Sequence, residues 1–420
     1  MREMKDSGLP YIGIIPKHWE CIRGKYILKY ISKPVKEDDG VITCFRDGQV
    51  TLRSNRREDG FTMADKEIGY QGIDVGDLVV HGMDGFAGAI GISDSRGKAS
   101  PVLNVLETEQ NKRFIMYYLR SMAYGDVFVA MATGIRVRSC DLRWNKLANF
   151  EYLVPPIGEQ EKIVTFLDIK CSEIDALIAD IQVQIETLEQ YKRSSIAEAV
   201  TKGINKNLSM KDSGYEWIGK VPDTWRFVKG KYLFKQRNSK GNNIKLQLLS
   251  PSQKFGVVPQ TLLEELTTQN VVKVKEDTDL SVFKTIHVGD FCISLRSFQG
   301  GFEYCRYEGV VSSAYQVFYP TVEIYDGYYR FLFKDKAFID KMNSYTISFR
   351  DGKNIAFSDF GNTYLPYPPI AEQKAIADYL DEKCAEIDSC ISAKKEQIST
   401  LESYKKSIIF EYVTGKKEVE

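Results

Sequence analysis

Arginine, lysine and side-chain amides gather in a few short polar stretches of this chain. They are Arg53, Arg56 and Arg57 in TLRSNRRED, Arg136, Arg138 and Arg143 in TGIRVRSCDLRWNK, Arg237, Lys240 and Asn242 in KQRNSKGNN, Arg296 and Gln299 in SLRSFQGG, and Arg350, Lys353 and Asn354 in SFRDGKN. A guanidinium can bond the O6 and N7 edge of guanine in a fork, and a carboxamide can do the same to adenine. Neighbouring cations would hold the phosphates that flank such a base. The competing reading of any charge run is a solvated surface. It is weakened here because Arg136/Arg138 and Arg350/Lys353 both fall shortly before a proline-led helix.

Catalytic constellations do not accompany these stretches. The three histidines, His18, His81 and His287, stand apart from one another without an HExxH pair, so no metal site is expected. No GxxxxGK[ST] loop occurs, and the glycine-rich GMDGFAGAIG lacks GxGxxG spacing. The Asp-Pro-Pro-Tyr type of motif with which amino methyltransferases hold a base is missing too. Asp351 and Lys353 make a D-x-K fragment seen in metal-dependent nucleases, a three-residue match that chance supplies readily. The residues point to binding rather than catalysis.

The chain that must position them has 420 residues, enough for two or three domains. Its 57 Lys+Arg balance 57 Asp+Glu, which leaves no overall electrostatic grip on a polyanion and requires local patches. At 43% hydrophobic and 27% charged it is globular in composition. No stretch approaches the ~18 apolar residues of a membrane span, and the start MREMKDSGLPYIGIIPKHW lacks signal-peptide order, so a cytoplasmic location is expected. The eight cysteines form no CxxC pair and read as reduced, mostly buried thiols.

An internal repeat organises everything else. Met4 to Leu28 lies over Met210 to Phe234 at an offset of 206 with twelve identities in twenty-five, and Pro155 to Thr201 lies over Pro368 to Thr414 at an offset of 213 with 26 in 47. Fainter matches link these anchors: Gly48 and Val50 with Gly256 and Val258, Val75-Gly76-Asp77 with Val288-Gly289-Asp290, and Gly97 and Ser100 with Gly309 and Ser312. Alike parts of two copies pair with each other or meet identical partners, while unlike parts face different targets.

The well-matched segments predict long helices. Leu167, Ile174, Ile181 and Leu188 alternate with Cys171, Ile178 and Ile185 at the three-and-four spacing of a coiled-coil seam, and Leu380, Ile387, Leu401 and Ile408 with Cys384, Ile391 and Ile398 repeat it. Lys394 takes the place of Ile181 in the second copy, at a seam edge or as a register mark. Pro155-Pro156 and Pro368-Pro369 suit the helix starts. Forty-four residues make a rod of about 66 Å, and antiparallel pairing of the two rods is the natural outcome of a twofold-like chain. The less matched segments, 20–150 and 226–365, alternate short apolar runs with turns, and each has one amphipathic stretch, Asn111 to Ala123 and Tyr328 to Met342. They predict α+β modules with a curved sheet.

TKGINKNLSMKDSGYEWIGKVPDTW, its N-terminal twin MKDSGLPYIGIIPKHW, and the paired PPIGEQEKIVTFLD and PPIAEQKAIADYLD together resemble the specificity subunit of type I restriction-modification enzymes over essentially the whole chain. The resemblance implies an α+β fold with target-recognition domains at 1–155 and 204–367, and helical regions at 156–203 and 368–420 that pair as an antiparallel coiled coil. It implies a subunit without catalysis or cofactor of its own, whose recognition domains each read half of a split site in double-stranded DNA. The helices would set the spacer and dock two modification subunits. In the assembled complex, partner subunits would use S-adenosylmethionine to methylate adenine N6, and restriction subunits would use ATP and Mg2+ to cleave. Two other readings stay open: a metal-dependent nuclease built on Asp351 and Lys353, and a coiled-coil scaffold that does not bind DNA.

Overall fold

A computed structural model describes residues 2–56, 68–131, 141–241, 246–267, 280–294, 301–345 and 355–419. The chain divides into two compact units, one of residues 1–182 with 395–420 and one of residues 183–394. Both long helices form, over Ile157–Lys202 and Ile370–Val413, and each contributes one part to each unit.

The two modules repeat one topology strand for strand. In the first, a four-stranded antiparallel sheet runs in the order Lys29–Ile31, Leu103–Glu107, Leu78–His81, Ile90–Ile92. In the second the order is Phe234–Arg237, Gln316–Pro320, Phe291–Ile293, Phe302–Tyr304. Four smaller two-stranded antiparallel pairs also correspond. One joins the strand after the first tryptophan of the module to the strand that leads into the long helix, Glu20–Arg23 with Glu151–Val154 and Arg226–Lys229 with Tyr364–Tyr367. The faint glycine matches now have a cause. A Cβ on Gly97 would sit 2.5 Å from the Gly40 carbonyl, and one on Gly309 would sit 2.5 Å from the Gln247 carbonyl, so both edge strands need glycine for a close backbone approach.

The first amphipathic stretch is the helix Lys112–Tyr124, whose N-cap Asn111 accepts from the Arg113 and Phe114 amides. The second is two helices, Asp326–Leu332 and Lys336–Asn343, where one was expected. Asp335 makes the break: its carboxylate caps a new helix start by accepting from the Ala337 and Phe338 amides. The apolar spacing continues across the break because both pieces pack on the same sheet, burying Tyr328, Tyr329, Leu332, Phe338 and Met342.

Within each unit the long helices pair antiparallel. Asp175 of the first helix meets Lys405 of the second at 2.6 Å in one unit, and Lys192 meets Asp388 at 2.6 Å in the other, a pair of contacts exchanged by the repeat. Leu167, Cys171, Ile174, Ile185, Leu380, Cys384, Ile387, Ile391 and Ile408 are buried, and Ile178, Ile181, Leu188, Ile398 and Leu401 are half-buried. Off the seam, Leu177, Val183, Tyr191 and Tyr404 are exposed. Lys394 lies at the seam edge, with its Nζ 2.5 Å from Gln184 Oε1.

Each module is tied to a helix start by a fully buried glutamine. Gln160 accepts from the Asn111 amide at 2.9 Å and donates to the Pro155 carbonyl at 2.8 Å, and Gln373 accepts from the Tyr325 amide at 2.9 Å and donates to the Pro368 carbonyl at 2.8 Å. Replacing Gln160 with Ala strands two backbone groups, so Gln160→Ala should lower stability by about 2 kcal/mol. A urea titration checks it, and Lys162→Ala, exposed on the same turn, should change little.

Candidate nucleic-acid interface

Of the residues singled out in the sequence, Arg53, Arg56, Arg143, Arg237 and Lys240 are described. Arg57, Arg136, Arg138, Asn242, Arg296, Gln299, Arg350, Lys353 and Asn354 lie outside the described residues, as does Asp351.

Arg53 and Arg56 come together at a cleft of about 610 Å³ in the first module, next to Arg46, which the sequence reading missed. Thr43, Phe45, Tyr70 and His81 also line it. The hairpin Ile42–Cys44 with Val50–Leu52 places these groups. The Arg56 guanidinium lies over the Phe45 ring at 4.2 Å and bonds Asp47 at 2.6 Å, while Arg46 bonds Asp84 at 2.8 Å. Burial opposes ionisation of Asp47, but hydrogen bonds from Arg56 and the Gln49 amide hold its carboxyl below the usual range. His81 Nδ1 accepts from the Met83 and Asp84 amides, and burial lowers its pKa. The cleft therefore offers the exposed guanidinium groups of Arg46 and Arg56, each held by one carboxylate, with a neutral imidazole behind them. Such a surface can recognise an anion or a base edge.

Arg143 sits apart from the cleft. It is 68% exposed at the start of the short helix Trp144–Asn149, with its Nε 3.7 Å from Asp141. Lys240 is exposed, on a backbone bridge to Lys284.

Arg237 has a different job from the one its loop suggested. Its guanidinium grips the buried Asp290 through two hydrogen bonds of 2.8 and 3.0 Å and lies 4.4 Å from the Tyr319 ring centroid. Asp290 is the aspartate of Val288-Gly289-Asp290. In the first module the matching Asp77, also buried, accepts from Lys33 Nζ at 2.7 and 2.8 Å. Lys33 is shared with Asp74, which hydrogen bonds from Lys33 and Arg96 pull down to about 2. The repeated Val-Gly-Asp is thus a buried acceptor for a cation near the edge strand of each sheet, and the repeat itself was the signal that could have revealed it. A base-reading role for Arg237 would require breaking this pair.

In the second module Phe291–Ile293 pairs with Phe302–Tyr304, and Glu303 of the latter strand is 1% exposed and 2.6 Å from Lys334. Burial dominates and pushes this carboxyl up to about 7. No group of three or more His, Cys, Asp or Glu among the described residues could hold a metal ion. No helix among them is long and apolar enough to cross a membrane.

The pattern of the family described as the type I restriction modification DNA specificity domain matches residues 222–402. Two proteins of Methanocaldococcus jannaschii are similar along nearly their whole length. One, a putative type I restriction enzyme MjaX specificity subunit, is 26% identical over 96% of this chain and 95% of its own; the other, the MjaVIII specificity subunit, is 26% identical over 96% and 93%. Residues 222–402 thus match the specificity domain of type I restriction-modification systems, and the whole chain is similar to specificity subunits of such systems. Solved structures share the fold of this chain. A chain from a type I R-M system, described for its complex assembly and conformational transition, aligns with a TM-score of 0.71 at 13% identity, covering 96% of this chain and 99% of that one. The HsdS subunit from Thermoanaerobacter tengcongensis aligns at 0.53 with 15% identity, covering 96% and 98%.

Two outcomes follow from the buried carboxylates. Arg237→Ala leaves the buried Asp290 without its cation and with only the His287 amide as a donor, which should cost about 3 kcal/mol in a denaturant titration, whereas Arg56→Ala should stay within about 0.5 kcal/mol. Glu303 has a folded-state pKa near 7, above its ordinary 4.5. Its contribution to stability is therefore full below about 4.5 and lost as pH rises through about 7, and Glu303→Gln should remove that part of the pH dependence of thermal unfolding.

Proposed function

We propose that this chain is a specificity subunit that reads a split site in double-stranded DNA, one module to each half, and that it does so without catalysis of its own. The observation that carries the reading is the contrast between two modules of one strand order, whose basic loops differ, and two long helices matched at 26 of 47 positions. A shared framework with unlike loops suits two different half-sites, and matched helices suit two identical partners.

The proposed readers are Arg53, Arg56 and Arg143 with Arg57, Arg136 and Arg138 in the first module, and Lys240 with Asn242, Arg296, Gln299, Arg350, Lys353 and Asn354 in the second. Arg237 leaves this set because Asp290 holds it. The partners are two modification subunits, which would bind S-adenosylmethionine and methylate adenine N6, and restriction subunits, which would use ATP and Mg2+ to cut. Methylation of a base requires that it leave the stack, so the specificity subunit must hold the duplex without filling the space into which the base swings. Helix length would fix the number of unread base pairs between the halves. The complex would act in the cytoplasm.

Exchange of residues 20–150 for those of another specificity subunit, followed by mapping of N6-methyladenine in cells that also make the modification subunits, tests the modular reading. One half-site should change and the other should persist. A change in both halves, or in neither, would overturn it.

A further inference from the structure

Arg23, Lys25 and Lys29 in the first module recur as Lys229, Lys231 and Lys235 in the second, at the one offset of 206, and Tyr26 recurs as Tyr232. Packing explains the glycine and apolar positions between them. Any Cβ on Gly24 would lie 2.2 Å from the Leu147 carbonyl, and one on Gly230 would lie 2.7 Å from the Phe360 carbonyl, so glycine is imposed where the turn presses on a short helix. Leu28 and Phe234 are buried in their cores. The charged and aromatic positions are not imposed by a buried contact of this kind, although Lys229 lies over the Tyr364 ring at 5.3 Å. Tyr26 is 72% exposed and Tyr232 62%, and each carries the preceding lysine over its ring, at 5.0 and 5.4 Å. Arg23, Lys25, Lys29, Lys231 and Lys235 are exposed and Lys229 half-buried, and none of the six makes an ion pair with a described residue. Other module cations, Lys33, Arg46, Arg56, Arg96, Arg237 and Lys334, are held by carboxylates.

Resting on the DNA-reading function proposed above, we infer that these two clusters are phosphate clamps, the sequence-independent contacts by which each module seats on the duplex. The argument is one of sameness. Bases differ between half-sites and the reading loops differ with them, whereas the phosphate backbone is the same in both, so its contacts can be identical in the two copies. Three cations within seven residues suit a row of phosphates, and a tyrosine hydroxyl is a regular donor to phosphate oxygen. A protein partner is the weaker match, because lysine is depleted at protein interfaces. In the first module the exposed Arg143 and Lys146 stand on the short helix packed against the turn, which puts one proposed reader beside the clamp.

The test uses the full chain assembled with its modification subunits and the duplex that methylation mapping identifies. Arg23→Gln with Lys25→Gln and Lys29→Gln should lower the slope of log affinity against log salt by about 2.7, at about 0.9 per phosphate contact. The wild type should then lose ~40-fold more affinity than the variant between 50 and 200 mM salt. Lys229→Gln with Lys231→Gln and Lys235→Gln should do the same, and discrimination against a site with one altered half should persist in both. The charge-keeping set Arg23→Lys, Lys25→Arg and Lys29→Arg should retain the slope, and Lys25→Gln alone should lower it by about 0.9 should the triple variant fail to fold. An unchanged slope, a loss of discrimination, or weakened assembly with the modification subunit in DNA-free sedimentation would overturn the clamp. Absence of sequence-specific binding by the wild type would instead remove the DNA-reading function itself.

Discussion

Neither core is completed by one continuous stretch of module sequence. In the first unit, Ile408, Ile409 and Val413 from the end of the second long helix pack with Trp19, Phe114 and Leu167, and Tyr412 meets Phe166 with ring centroids 4.3 Å apart. In the second unit, Ala199 and Val200 from the end of the first helix pack with Trp225, Tyr328, Ile376 and Leu380, and the Tyr328 hydroxyl donates to the Val200 carbonyl at 2.7 Å. Antiparallel pairing of the two helices brings each helix end to the core that needs it, so seam, module and helix terminus are one packing problem. This explains why the best-matched sequence in the chain is helical. A change in the register of the seam would withdraw apolar side chains from a module core as well as from the partner helix.

The seam was legible because a seven-residue period leaves little freedom over some forty residues. The residues at that spacing are buried or half-buried, and the Lys394 ammonium meets Gln184 at the seam edge. The α+β character and the presence of a helix on each sheet were legible from periodicity, but the interruption at Asp335 was not, since a capping aspartate inside an apolar rhythm looks like one more polar position. Single basic residues were the least legible. Arg56 and Arg237 are alike in sequence, each in a polar stretch, yet one lies exposed at a cleft and the other grips a buried carboxylate. What separates them is an aspartate some fifty residues away in the case of Arg237. Sequence reveals such a partner only through the second copy, where Lys33 and Asp77 repeat the arrangement with a different cation.

The balance of 57 cations against 57 anions also acquires a structure. On the modules many cations are neutralised locally, often by aspartates that serve the fold, as with Lys33, Arg96 and Arg237. On the helices, acid and base alternate and meet across the seam. Zero net charge is the sum of these internal settlements, and the surface potential that a polyanion would feel depends on the cations left outside them.

The division of the chain into units bears on how it is made. The second unit, residues 183–394, is continuous in sequence, whereas the first needs residues 395–420, where Lys416 donates to the Ile12 and Ile14 carbonyls and Gly415 accepts from Arg2. During synthesis from the N-terminus, the module that emerges first is therefore the last to be finished. It waits, with the apolar surface for Ile408, Ile409 and Val413 uncovered, until the second long helix has emerged from the ribosome. For this interval the nascent chain exposes the half of itself that was translated earliest, and a truncated product would carry a complete second unit attached to an unfinished first.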